Sequence, residues 1–204
     1  MDVMTDAEAR VRWLDVHDEL LRGLTHALSN RVATMSASAY MLEHDDVTGA
    51  QAAASLRVET ERMDVLLQLL RLLPSRDDRE FEPVSPADVI TQAVALHAQH
   101  CDLRDVGVAV TLTERVLPVW VEPHAFLQSL LLALTAAKRA AFAAGSTVEV
   151  QVDGDADEVH VSVLPDSERA ASDALAQRDA DAAHACLRSA YGRVQSNANG
   201  GCVL

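Results

Sequence analysis

Leucine or methionine recurs every seventh residue near the start of this chain, at Leu14, Leu21, Leu28, Met35 and Leu42, with Leu24 at an intervening position. A seven-residue apolar repeat lays one stripe of side chains along a helix, and that stripe has to be covered by other helices running nearly parallel to it. The repeat predicts one long helix over residues 6–43. The turn-rich HDDVTG at 44–49 interrupts it. The rhythm resumes at Leu56, Met63 and Leu70, with Leu66 and Leu73 between them, and predicts a second long helix that ends at Pro74. Two helices joined by a short turn form a hairpin in which each helix has a single neighbour. Doubling the hairpin into a four-helix bundle, as a homodimer, covers the remaining apolar surface.

The charged SRDDRE at 75–80 reads as a linker, and beyond it the pattern changes. Ser85, Pro86 and Asp88 have the order of an N-cap, a first-turn proline and an N3 carboxylate, opening a helix that runs through about His100. GVAVTL at 107–112 and PVWVE at 118–122 read as strands, followed by a helix over 123–144. STVEVQV at 146–152 and EVHVSVL at 158–164 are two more strands, joined by the turn-forming DGDAD. A helix over 170–191 and a weak strand pair complete the chain. This order predicts an α/β sandwich with its helices on one face of a mixed sheet, so that the whole chain is of the α+β class. Of the 204 residues 49% are hydrophobic but only 3% aromatic, so the core is built from Leu, Val and Ala; Trp13, Trp120 and Phe126 are expected inside it.

The formal charge of −14 opposes binding to nucleic acid or to an anionic membrane surface. Cys101, Cys186 and Cys202 are too few and too scattered for a disulfide framework, and none forms a CxxC pair. The N-terminus lacks the basic and apolar regions of a signal peptide, and the greasiest run, 126–134, is too short to span a bilayer. A soluble, cytoplasmic protein is expected.

The segment Leu24-Thr25-His26-Ala27-Leu28-Ser29-Asn30-Arg31-Val32 resembles the phosphoacceptor box of sensor histidine kinases, with its histidine and an Asn or Thr four residues later. The second half is similar to the ATP-binding domain of that family: EFEPVSPADVITQAV at its start, VEPHAFLQSLLLALTAAKRAA in the place of the Asn-bearing helix, and HACLRSAYGRVQSNANGGCVL as the last helix and closing strands. The resemblance implies a dimerising, phosphoacceptor hairpin over 1–74, a linker over 75–80 and an ATPase-like α/β domain over 81–204. Several of the family's ATP-handling residues are missing. Leu132 and Ala136 stand where it has magnesium-holding asparagines. LPDSERAA, with Asp166 but no glycine, stands where it has its adenine-reading loop, and ASDALAQRDADAA replaces the glycine-rich lid. Backbone that cradles phosphate needs glycine. Ala27 replaces the acidic residue that usually follows the phosphoacceptor. These departures imply that ATP binding and self-phosphorylation are lost while the histidine is kept; no cofactor is expected on this chain, and magnesium comes with the partner's receiver domain.

His26 lies roughly 160° round the helix from Leu28 at 100° per residue, and so faces water. A neutral imidazole is a competent nucleophile towards an aspartyl phosphate, and the resulting phosphohistidine can return the group to another aspartate. Asn30, one turn on, is placed to hydrogen-bond the phosphoryl group or to orient a water. Arg31 is placed either to pair with phosphoryl oxygens or to pack in an interhelical ion pair. His17, followed by Asp18 and Glu19, is the rival phosphoacceptor, but its seam-type position favours packing. His97, His100 and Cys101 share a helix face at metal-ligand spacing without a second ligand cluster, and no metal site is expected. The readings are then a histidine phosphotransferase acting between response-regulator receiver domains, its α/β domain helping to dock them; a receiver phosphatase working through Asn30; a non-catalytic pseudokinase scaffold; and an active kinase with a divergent ATP site.

Overall fold

A computed structural model of the chain describes residues 4–44, 46–73, 80–113, 116–154, 158–166, 174–189, 195–196 and 202–203. It opens with α1 (Asp6–Glu43), whose 38 residues extend for about 57 Å. Thr5 caps α1 with a capping box, its hydroxyl accepting from the amide of Glu8 while the Glu8 carboxylate accepts from the amide of Thr5. The same device, Thr48 with Gln51, starts α2 (Gly49–Leu72). The two helices pack as a hairpin. Leu66 and Leu73 are buried in its seam, and Leu28, Met35, Leu56, Met63 and Leu70 are half-buried along it.

The seam is not the whole of the repeat. Leu14 is 57% exposed, because the N-terminal half of α1 turns a different face inward. There Ala9, Trp13, Val16, Leu20 and Leu24 are buried, at the 3- and 4-residue spacing of a helix lying on a domain surface. The surface they cover belongs to the second half of the chain, chiefly α5 and in part α4. Thus α1 serves twice, as an outer helix of the α/β domain and as the first arm of the hairpin.

That domain comprises β1 (Glu82–Val84), α3 (Pro86–His97), β2 (Val108–Leu112), β3 (Val119–Val121), α4 (Pro123–Ala144), β4 (Val148–Gly154), β5 (Val159–Pro165), α5 (Ala174–Ser189), β6 (Gln195–Ser196) and β7 (Cys202–Val203). Ser85 caps α3 as expected, but the helix stops at His97 and residues 98–103 form turns. The expected mixed sheet has the order β2-β4-β5-β7-β6, parallel only between β2 and β4. The sequence reading had no β1; this strand pairs with β3 in a separate antiparallel sheet. Val148, Val150 and Val152 of β4 and Val161 and Val163 of β5 are buried on the helix side of the main sheet, with polar residues alternating between them. The linker expected over 75–80, except Glu80, and residues 155–157 of the DGDAD turn lie outside the described residues.

Helix α4 is the hub. Leu130, Leu131, Leu132, Ala133, Ala136, Ala137, Ala140 and Ala141 are all fully buried, since α3, α5 and the sheet surround the helix. It is long and apolar enough to cross a membrane by length and composition, yet most of it is buried inside the domain, as a core helix is. Trp13 and Phe126 are core residues as expected. Trp120 is not: on the narrow two-stranded sheet, opposite Pro83, it is 68% exposed.

Candidate functional site around His26

His26 is exposed on α1, where the helix leaves the α/β domain and continues as the hairpin. Asn30 Nδ2 lies 3.2 Å from His26 Nε2. An amide nitrogen can only donate, so Nε2 accepts, and the neutral ring carries its proton on Nδ1. Asn30 therefore selects the tautomer whose Nε2 has a lone pair. The neighbouring hydroxyls do not compete for the ring: Thr25 donates to Leu21 O at 2.9 Å, Ser29 to Thr25 O at 2.9 Å and Thr34 to Asn30 O at 2.9 Å. Ala27 is half-buried against the core, on the side of α1 away from solvent.

Arg31 is held in the interhelical pair. Its Nη1 donates to Glu59 Oε2 at 3.0 Å, and Arg62 donates to the other oxygen at 2.7 Å. Glu59 is buried between the two guanidiniums, and the hydrogen bond from Arg31, followed by the contribution of Arg62, lowers its carboxyl pKa below the ordinary 4.5 although burial opposes this. Sequence reasoning missed Glu59, but a signal was present. Arg31 and Glu59 both occupy d-type positions of their own heptads, with opposite charge.

A second missed feature lies one turn before His26. A Cβ on Gly23 would collide with the carbonyl oxygen of Gln99 and lie 2.8 Å from its carbonyl carbon and 3.2 Å from Cys101 N. The turn after α3 thus rests its backbone directly on α1, and only glycine leaves room. A glycine inside a helix costs about 1 kcal/mol against alanine, so its presence there was the available clue.

Beneath this contact runs a chain of buried and half-buried polar pairs. Arg12 on α1 pairs with Asp179 on α5; Arg139 on α4 donates to Asp179 at 3.0 Å and to Glu19 on α1 at 2.7 Å; and His100 Nε2 meets Glu19 at 2.9 Å. His100 Nδ1 accepts from the amides of Asp102 at 3.1 Å and Leu103 at 3.2 Å, which makes Nε2 the protonated nitrogen that donates to Glu19. Burial lifts the Asp179 carboxyl above its ordinary value. Burial also raises Glu19, but His100 and Arg139 outweigh it and bring the group below its usual range. His100, Cys101 and Asp102 lie close enough together to suggest a metal cluster, yet both nitrogens of His100 are committed. His97 donates from Nε2 to Thr135 Oγ1 at 3.0 Å, and burial keeps the ring neutral. These partners leave no lone pair of His100 for a metal. His17 is half-buried with its ring edge-on to Trp13.

Leu132 and Ala136, expected in the place of magnesium-holding asparagines, are fully buried and have no ligand atom to offer. The first amides of α4, which an anion would otherwise use, are taken by Glu122, which accepts from His124 N at 2.8 Å and Ala125 N at 2.6 Å. Leu132, Ala136 and the start of α4 thus offer magnesium and phosphate no ligand. The segment at 171–183, expected in place of the lid, is helical from Ala174 onward, while the adenine-loop segment beyond Asp166 lies outside the described residues.

No family model and no curated protein matches the chain. Among solved structures the chain is similar to the Acinetobacter baumannii histidine kinase AdeS, with a TM-score of 0.46 at 16% identity over 87% of this chain and 94% of that one. A bacterial phosphotransferase gives 0.47 at 13% identity, covering 93% and 94%. A histidine kinase from Burkholderia phymatum gives 0.47 at 15% identity, covering 98% and 97%.

Proposed function

We propose that this protein is a histidine phosphotransferase of two-component phosphorelays, which moves phosphoryl groups between receiver-domain aspartates through His26 and does not use ATP. The observation that carries the reading is the Asn30–His26 hydrogen bond on an exposed helix face, which presents Nε2 with a lone pair. It stands beside a domain with no magnesium ligand at Leu132 or Ala136. Nε2 attacks the phosphorus of an aspartyl phosphate, the N–P bond forms as the acyl P–O bond breaks, and the aspartate leaves as carboxylate. The Nδ1 proton is then free to pass to water. The reverse reaction on a second receiver returns the group and regenerates the imidazole. Phosphoryl transfer of this type depends on positioning and charge neutralisation, and the receiver's magnesium supplies the latter. Asn30, released from the lone pair, donates to a phosphoryl oxygen.

The same reading includes a homodimer. Val11, Leu14 and Val32 on α1 and Val58 and Val65 on α2 are exposed, and on α1 they extend the stripe of Leu21, Leu28 and Met35. A second hairpin covers such a stripe. Incubation with a receiver carrying labelled phosphate should label the protein, and His26→Ala should abolish the label. Equal labelling of His26→Ala would refute the assignment. Faster loss of receiver phosphate with no labelled protein, itself lost in Asn30→Ala, would instead identify a receiver phosphatase.

A further inference from the structure

A cavity of about 510 Å³ lies between the first three turns of α1 and the first half of α5, a size suited to a small molecule. Asp15 is its lining residue nearest to His26 in sequence and precedes it by about 16 Å of helix rise; neither Leu132 nor Ala136 takes part. The cavity is therefore separate from the phosphoacceptor and from the positions expected to hold magnesium. Met4, just before α1, and Ala7 and Val11 on α1 give it an apolar wall. Both signs of charge meet in the rest of the lining. Arg12 and Arg178 are its cations, and Asp15 and Asp181 face them as acids. Glu8, a third acid, is committed to Thr5 at the cap of α1.

Arg12 stands out among these groups. It is 9% exposed, its Nε donates to Asp179 and its Nη1 to Asp15 at 3.2 Å, but its buried Nη2 has no hydrogen-bond partner among the described residues. Because Nη1 reaches Asp15, itself in the lining, the planar guanidinium that carries Nη2 ends at the cavity wall. A buried charged donor without an acceptor is costly, and native interiors keep few of them. The acids have capacity to spare. Asp15 accepts from Arg12, Asp181 accepts from Gln177 at 3.0 Å, and an ionised carboxylate has room for about four such bonds. A bare anion would meet the three carboxylates, and a bare cation the two guanidiniums. A molecule carrying both signs answers both, and the apolar wall calls for a hydrocarbon group beside them. We propose that the cavity between α1 and α5 binds a zwitterionic amphiphile of the amino-acid type, with its carboxylate on Arg12 Nη2 and Arg178, its ammonium on Asp15 and Asp181, and its side chain against Met4, Ala7 and Val11. Such a ligand touches both helices, so it ties α1 to α5 and stabilises the folded chain. Binding there does not depend on His26.

The test is calorimetric titration of the full chain with L-leucine, L-methionine and L-phenylalanine at up to millimolar concentration. Two controls are 4-methylpentanoate and isoamylamine, which are leucine without its ammonium and without its carboxylate. At least one amino acid should bind and raise the melting temperature, and each control should bind at least about tenfold more weakly than leucine. Arg178→Gln and Asp181→Asn should each weaken the amino acid about tenfold. Neither side chain takes part in the pairing of Arg12, Asp179 and Arg139, so both variants should fold, as thermal melts will show. His26→Ala should bind as wild type does. No binding of any of the three amino acids would overturn the inference, as would binding that both variants leave intact. Equal affinity for 4-methylpentanoate would overturn the zwitterion. Val11 also belongs to the stripe assigned above to a second hairpin, so light scattering accompanies each titration. Variants that shift the mass between monomer and dimer while no amino acid binds would make the cavity part of the interface between two copies and remove the ligand.

Discussion

The phosphotransfer proposed at His26 depends on one hydrogen bond, because a donating Asn30 amide leaves the lone pair on Nε2. Asn30→Asp reverses that choice. A carboxylate accepts and so draws the ring proton to Nε2; the variant should lose most of its phosphotransfer rate while keeping its fold, measured as label gained per second against its thermal melt. Lys138 offers an independent check at the same scale. It is 2% exposed, its ammonium donates to Leu103 O at 3.4 Å, and burial pulls its pKa down to about 8. The folded pKa lies below the unfolded value of 10.5, so between these limits the unfolded chain binds the extra proton and stability rises with pH. The gain is on the order of 3 kcal/mol across that window. Urea titrations from pH 7.5 to 10 should show the rise in wild type and a flatter profile in Lys138→Met; identical slopes would contradict the assignment.

Among the elements, α1 carries the most information, and the sequence exposed only part of it. Its limits, its break at 44–49 and the α2 seam were legible because a seven-residue repeat is a local signal that survives without knowledge of the partner. The exposure of Leu14 was not legible, because the N-terminal half of the helix answers to α5, some 165 residues away. The same holds for Arg12, Glu19, Arg139 and Asp179, whose pairing is purely tertiary, whereas Arg31 and Glu59 could have been matched from their heptad positions. Replacing Asp179 by Ala removes the buried carboxylate shared by Arg12 and Arg139, leaving them Asp15 and Glu19 respectively, and should cost about 3 kcal/mol in chemical denaturation. Gly23→Ala gains helix propensity but drives a methyl group into the Gln99 carbonyl. A net loss of about 1–3 kcal/mol is expected, and a stabilised variant would show that the turn does not rest there. On α2, Val65 is 55% exposed on the face left open by α1. Light scattering should report a dimer for wild type and a monomer for Val65→Glu combined with Val32→Glu, and two species of equal mass would remove the four-helix bundle.

For the whole molecule, the hairpin and the α/β domain share a helix, a glycine contact and a chain of buried and half-buried polar pairs, so the domain holds a fixed place beside His26. The sequence resemblance pointed to His26 through a short local motif and to lost nucleotide chemistry through Leu132 and Ala136. It could not show that the α/β domain rests on α1 at Gly23, one turn before His26, since that depends on contacts between residues far apart in the chain. The proposed function takes a fixed domain with no magnesium ligand at those two positions and an exposed imidazole as the parts of a protein that receives phosphate from a partner rather than from nucleotide. The most direct test compares donors on wild-type protein: label offered as magnesium and γ-labelled ATP alone, or as phosphorylated receiver domains alone, followed by phosphorus NMR of the product. The expected result is phosphohistidine at Nε2 from a receiver and none from ATP; labelling of His26 by ATP alone would contradict the account.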